Sequence, residues 1–163
     1  MKIRTAEEKD IPRLNQLLSE VLEIHAKIRP DIFIPGTVKY ADEELKEMLQ
    51  DEKIRIYAAV NENDVLMGYA FCLIQGPSAA SNMVPHKKIF IDDLCVDSSV
   101  RGMHVGEQLF DYVKQQAAVL GCYEVSLAVW QGNDAARGFY EHIGMKPKET
   151  IMEYILPEED QKK

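Results

Sequence analysis

The strongest constraint on this chain lies between residues 92 and 109. Asp92-Asp93-Leu94-Cys95-Val96 reads as the end of an apolar strand carrying two carboxylates. Asp97 to Val100 is a short polar loop. Arg101-Gly102-Met103-His104-Val105-Gly106 then leads into a helix that carries Leu109, Tyr112, Val113 and Gln116 at helical spacing. A strand that feeds a glycine-containing loop at a helix N-terminus is suited to holding phosphate. The first helical N–H groups lack partners inside the helix, and the helix dipole favours negative charge there. Glycine lets the backbone approach a ligand without an intervening Cβ, and Arg101 can fork onto phosphate oxygens.

The rest of the chain supplies elements on either side. Residues 1–4 read as a short strand. Asp10 before Ile11-Pro12 marks a helix start, and Leu14, Leu17, Leu18, Val21, Leu22 and His25 continue it at helical spacing to about residue 28. Arg29-Pro30 ends it. The apolar, proline-bounded loop 29–36, with Phe33 near its centre, is either a structural connector or one wall of a substrate pocket. A second helix is expected over 40–49. Strands follow at 54–60, 65–75 and 87–96, and the post-loop helix runs over 102–120 until Gly121 stops it. A strand at 123–130 precedes a turn and a helix at 134–143. Residues 145–147 and 150–156 are two last strand candidates.

A strand–helix–strand unit about residues 102–120 implies a parallel pair with a right-handed crossover. The expected fold class is α/β (α+β): a mixed, mostly antiparallel sheet of about six or seven strands with helices on both faces. With 163 residues, a single domain over 1–157 is expected, followed by a frayed polar tail at 158–163.

Composition removes several function classes. A formal net charge of −8 argues against a general nucleic-acid binder, which needs clustered Lys and Arg. No apolar run is long enough to span a bilayer, so no membrane partner is expected. The first ten residues lack a signal peptide's hydrophobic core. The three cysteines, Cys72, Cys95 and Cys122, read as small buried hydrophobes in a reducing compartment, which points to the cytoplasm. The four histidines show no metal-ligand spacing, so no metal is expected.

A second informative stretch is Asn133-Asp134-Ala135-Ala136-Arg137-Gly138-Phe139-Tyr140-Glu141-His142-Ile143-Gly144-Met145. Asn133 at a helix start can offer an amide to a ligand. Tyr140 lies seven residues on, two helical turns away and on the same face. Tyr140 is thus either a core aromatic or a hydroxyl held near that ligand. His25 and Trp130 are open in the same way, as core residues or as walls of a pocket.

Taken together, the two stretches resemble the signatures of the GCN5-related N-acetyltransferase (GNAT) superfamily. Its members typically read Arg/Gln-x-x-Gly-x-Gly/Ala in the first, and Arg101 and Gly106 match its ends. His104 replaces the middle glycine, which implies either ordinary helical dihedrals at that position or a weakened coenzyme contact. The second resembles Asn-x-x-Ala-x-x-Phe-Tyr-x-x-x-Gly-Phe/Met with every fixed position kept. The resemblance implies an acetyl-CoA-dependent N-acetyltransferase acting on a primary amine of a small molecule or a protein. It also implies direct transfer in a ternary complex, and a homodimer as the common assembly.

The same resemblance suggests roles for individual residues. Arg101 to Gly106 would bind the diphosphate. The backbone of Leu94, Cys95 and Val96 would pair with the pantetheine arm, and Asn133 would add a polar contact. Tyr140 would protonate the departing thiolate, a sensible match for a phenol of pKa ~10. In relatives whose strand reads Ile-Glu-Asp-Leu the first acid is often the base, which suggests Asp92 as base and Asp93 as electrostatic partner of a cationic acceptor. On a regular strand those two would face opposite sides; a β-bulge, frequent in relatives, would loosen that rule. Phe33, His25 and Trp130 would line the acceptor. No histidine is spaced to activate Cys95 as a nucleophile. A non-catalytic acyl-CoA-binding domain on the same fold is the alternative.

Overall fold

Alternating apolar residues build the sheet. In the computed structural model, which describes residues 1–157, the elements are β1 (Lys2–Thr5), α1 (Ile11–Ile28), α2 (Asp42–Gln50), β2 (Ile54–Val60), β3 (Leu66–Gln75), β4 (Lys88–Val96), α3 (Val105–Val119), β5 (Glu124–Leu127) and α4 (Asp134–His142). The strands lie in the order β1-β2-β3-β4-β5. All neighbours run antiparallel except β4 and β5, which are parallel across the α3 crossover. The fold is the expected mixed, mostly antiparallel sheet with helices against it.

Both faces of the sheet are covered. Leu14, Leu17 and Leu18 of α1 and Leu45 of α2 pack on Ile56, Ala58, Tyr69, Phe71 and Cys95. On the other face α3 buries Val105, Leu109 and Val113, and its Tyr112 meets Tyr57 edge-on at 5.1 Å between ring centres. Each such fully buried aliphatic side chain stabilises the fold by about 1.5–3 kcal/mol. Close approach of α3 depends on Gly68: a Cβ there would lie 2.8 Å from the Cys95 carbonyl oxygen and 3.3 Å from Leu109 Cδ1.

The start of α1 is fixed by charge as well as by Pro12. Asp10, 4% exposed, accepts from Arg4 Nη1 at 2.7 Å and from Arg4 Nη2 at 3.1 Å. It also accepts from the Glu7 backbone N–H at 2.8 Å. The buried carboxylate is therefore paired and hydrogen-bonded, as such a group must be.

Besides the later start of α3, at Val105 rather than residue 102, three details differ from the sequence-based expectations. The sheet has five strands rather than six or seven, because residues 145–147 and 150–156 form no strand among the described residues. Second, β5 ends at Leu127 rather than Trp130. Third, α2 begins at Asp42, where the Glu44 carboxylate reaches back to the Ala41 N–H at 2.6 Å. The tail expected over 158–163 lies outside the described residues. No helix among the described residues is long and apolar enough to cross a membrane.

The chain forms two compact units, Met1–Asn133 and Asp134–Lys163. The first holds the whole sheet with α1, α2 and α3; the second holds α4.

Candidate functional site

The parallel pair opens partway along. β4 and β5 are in register only from Lys88–Glu124 to Ile91–Leu127. Beyond Ile91, β4 runs on for five residues, Asp92 to Val96, and among the described strands only β3 pairs with it there. An edge of strand backbone is left on the β5 side, where only alternate residues can direct their N–H and C=O groups away from β3. Leu94, Cys95 and Val96 supply that edge. The Cys95 side chain turns into the core: its Sγ lies 3.8 Å from the Leu17 carbonyl, and burial pushes its thiol up to about 12. A thiol so held is a poor nucleophile.

A bulge falls where the edge begins. Phe71 pairs with Asp93 and Cys72 with Ile91, so Asp92 is the extra residue. That insertion breaks strict alternation, and both carboxylates reach one cation. Lys39 Nζ lies 3.0 Å from Asp92 Oδ2 and 3.5 Å from Asp93 Oδ2. The Asp93 side chain is only 8% exposed. Burial raises its pKa, opposed by the Lys39 charge and reinforced by Asp92. Burial works against the Lys39 ammonium, but the two carboxylates outweigh it and the pKa of Lys39 is raised. Tyr40 stacks on Phe71 at 5.9 Å and fixes the loop beside this cluster. The buried Tyr69 hydroxyl completes no hydrogen bond by geometry among the described residues. Burial, then the nearby Asp93 charge, hold it neutral.

The other end of the edge runs into the loop. Asp97 Oδ1 accepts from the Ser99 N–H and the Ser99 hydroxyl, both at 2.8 Å. These bonds and Arg13 lower the Asp97 pKa. Arg13 on α1 is ion-paired to the same carboxylate, so the loop is anchored to the layer of α1. Arg101, Gly102 and Met103 follow, all exposed, with Gly102 at φ +82°. His104 sits at φ 57°, ψ 21°, in the left-handed region, immediately before Val105 and Gly106 open α3. Of the two alternatives offered for this position, ordinary helical dihedrals are therefore wrong. The backbone keeps a geometry that favours glycine, and histidine is among the residues that tolerate it. The His104 ring points sideways to Glu107 Oε1, 3.0 Å away. It makes no side-chain cap to the first N–H groups of α3, so these are not satisfied from that side chain.

The three aromatic candidates come together. His25, near the end of α1, lies 5.2 Å from Phe33, and Phe33 meets Trp130 edge-on at 5.4 Å. The Arg29 guanidinium covers the Trp130 ring at 5.7 Å. Burial lowers the pKa of His25, and the Lys39 charge lowers it further. Trp130 closes a turn whose Asn133 N–H donates to its carbonyl at 3.0 Å. His86 stacks on Tyr123, with 3.9 Å between ring centres.

In the second unit, Tyr140 lies on the last turn of α4, half-buried, with the Phe139 ring 5.2 Å away. Its carbonyl accepts from the Met145 N–H at 3.0 Å as the chain turns at Gly144.

Sequence reasoning missed Lys39, Tyr40 and Tyr69 as members of the site. Lys39 lies in irregular chain with no spacing to mark it, Tyr40 reads as an inward position of the second helix, which begins only at Asp42, and Tyr69 reads as an ordinary strand aromatic. Among the described residues no group of His, Cys, Asp and Glu is arranged to hold a metal ion.

No curated protein matches the chain closely enough to lend it a function. Solved structures match over nearly its whole length. A mutant form of the BH1408 protein from Bacillus halodurans is 28% identical with a TM-score of 0.91, covering 96% of this chain and 100% of that one. An acetyltransferase from Trypanosoma brucei (23% identical, TM-score 0.69, 95% and 99% covered) shares the fold. So does the aminoglycoside N-acetyltransferase AAC(6')-Iy, solved in complex with CoA (17%, 0.69, 96% and 99%). The family model for the acetyltransferase (GNAT) family matches residues 18–145. That match spans well over half of the chain and includes the β4 edge, the loop before α3 and α4, so this protein belongs to the GNAT acetyltransferase family.

Proposed function

We propose that the protein is an acetyl-CoA-dependent N-acetyltransferase that acylates a primary amine, of a small molecule or of a protein, by direct transfer. The observation that carries this reading is the β4 edge itself. One strand end offers backbone that β5 does not take up, the acid pair lies at its start, and the helix N-terminus lies just beyond its end.

The residues present fit the coenzyme. The backbone of Leu94, Cys95 and Val96 pairs with an amide-bearing arm as a sheet edge pairs with any extended chain. The N–H groups of Gly102 to Gly106, with Arg101, hold the diphosphate, and Asn133 adds a side-chain amide. Acetyl-CoA, when bound, supplies a thioester carbonyl open to attack by an amine. Asp92 takes the acceptor's ammonium proton, directly or through water, because an ammonium has no free pair. Asp93 adds negative charge that favours a cationic acceptor. Tyr140 donates a proton to the leaving sulfur. His25, Phe33 and Trp130 form the acceptor's apolar wall. A cytoplasmic setting is supported by the three cysteines, which are present as free thiols.

Replacing Tyr140 by Phe is expected to lower turnover about 100-fold, within the range for a general acid, while acetyl-CoA affinity measured by calorimetry stays the same. Unchanged turnover would remove the general-acid role. Thiol release with a panel of amines tests the activity itself. If acetyl-CoA raises the melting temperature but no amine yields thiol, the domain binds the coenzyme without catalysis.

A further inference from the structure

The acid pair that should receive an acceptor's ammonium is already facing one. Lys39 Nζ is a primary amine on a flexible four-carbon stem, 3.0 Å from Asp92 Oδ2 and 3.5 Å from Asp93 Oδ2. It also lies 5.2 Å from the centre of the Tyr40 ring. Its side chain is about a third exposed, so it is neither locked in the core nor free in solvent. It is carried on irregular chain before α2, next to Tyr40, which is held on Phe71. Other lysines make ion pairs of similar length: Lys9 with Glu7, Lys46 with Glu43, and Lys114 with Asp111. Those carboxylates are exposed and lie outside the site. Lys39 alone among these has the chemistry of the acceptor and the partners proposed for the acceptor.

We propose that Lys39 is itself an acetyl acceptor, so that the protein modifies its own Lys39 side chain when no free amine is supplied. The inference rests on the N-acetyltransferase reading above. The ammonium first loses a proton to Asp92, directly or through water. The free amine then forms the N–C bond to the thioester carbonyl carbon. The C–S bond breaks and its electron pair leaves on sulfur, which takes a proton from Tyr140. The nitrogen sheds its second proton, and solvent restores both side chains. The sum is acetyl-CoA and lysine ammonium giving Nε-acetyl-lysine, CoA thiol and one proton.

The two carboxylates favour the ammonium form, so this transfer is slow beside transfer to a free amine whose proton is less firmly held. Its product is an uncharged amide. Acetylated Lys39 no longer neutralises Asp92 and Asp93, and the pair is released for a cationic acceptor. The modification therefore primes the site.

The test is to incubate the full chain with acetyl-CoA and no amine, follow its intact mass, and map the acetylated residue by peptide mass spectrometry. One acetyl unit is expected, on Lys39, with Lys114 as the internal measure of background chemistry. Lys39→Arg abolishes the mass gain, and Asp92→Asn slows it more than about tenfold, as loss of a positioned base should. Equal acetylation of Lys39 and Lys114, or an undiminished rate in Asp92→Asn, overturns the proposal. A parallel assay of thiol release with a free primary amine separates the two failures. Transfer to that amine without a mark on Lys39 sinks this inference alone; transfer to neither sinks the underlying reading as well.

Discussion

The two ends of the β4 edge are built from different materials. Towards Val96 and α3 the groups on offer are main-chain: strand amides, a loop with left-handed residues, and the first turn of a helix. Towards Asp92 they are side chains: the two carboxylates and Lys39 from before α2, to which the proposed reading adds the row of His25, Phe33 and Trp130. Main-chain recognition depends on backbone geometry and tolerates many side chains; side-chain recognition does not. In the proposed reaction one end of the edge therefore suits a ligand shared across a family, and the other suits a ligand particular to this protein. Substitutions at the two ends should separate in the kinetics of the proposed reaction.

The largest separation is expected from Arg101→Glu. It removes a cation from the diphosphate end and installs a repelling charge there. The KM for acetyl-CoA should rise about 100-fold, the size of one strong charge-assisted hydrogen bond to phosphate. The KM for the amine should stay within about twofold, no more than rim effects produce. Equal rises in both would mean that the ends are not independent. Trp130→Ala is the complementary change. It opens the edge-on packing against Phe33 and exposes the wall, so the amine KM should rise about tenfold, as removal of one aromatic pair and its buried area predicts. The acetyl-CoA KM should not follow.

His104 tests the main-chain end through stability rather than through turnover. At φ 57° its conformation costs a residue with a Cβ roughly 1 kcal/mol. His104→Gly should therefore raise stability by about that amount in chemical denaturation, less whatever the exposed Glu107 pairing contributes. Were the position helical, the same change would lower stability by about 1 kcal/mol. The sign alone decides.

These differences also explain what can be read in the sequence. Five strands and four helices follow from apolar periodicity, and their order matches because each is a local pattern. The phosphate-type loop and the Asn133–Met145 stretch are visible for the same reason, being contiguous. The bulge at Asp92 is not fixed by the residues about it. It comes from the pairing of β4 with β3, which sets Phe71 against Asp93 and Cys72 against Ile91. Lys39 is invisible because its partners lie more than fifty residues away and nothing periodic marks the chain around it. His104 misleads because replacing a glycine usually signals that the special dihedral has gone, whereas here the fold keeps it. The segments at 145–147 and 150–156 have strand composition but form no strand among the described residues.

The smallest expected effect concerns His25, and it joins the aromatic wall to the acid pair. Burial and the Lys39 charge both lower its pKa below the ordinary 6.5. A histidine with a depressed folded-state pKa binds fewer protons in the folded state than in the unfolded one. As pH falls through 6.5 towards the lowered value, the unfolded chain gains a proton that the folded chain refuses, and stability declines. His25→Phe keeps an aromatic ring against Phe33 and removes this proton. The melting temperature of the wild type should thus drop relative to His25→Phe below pH 6.5, with a constant difference above it. Lys39→Met removes one of the two causes, so in that background the acid drop should shrink without vanishing, because the desolvation remains. Parallel curves in both backgrounds would mean that His25 is solvated and carries its charge freely. The wall and the acid pair would then be electrostatically separate, and the Lys39 ammonium could not act on both.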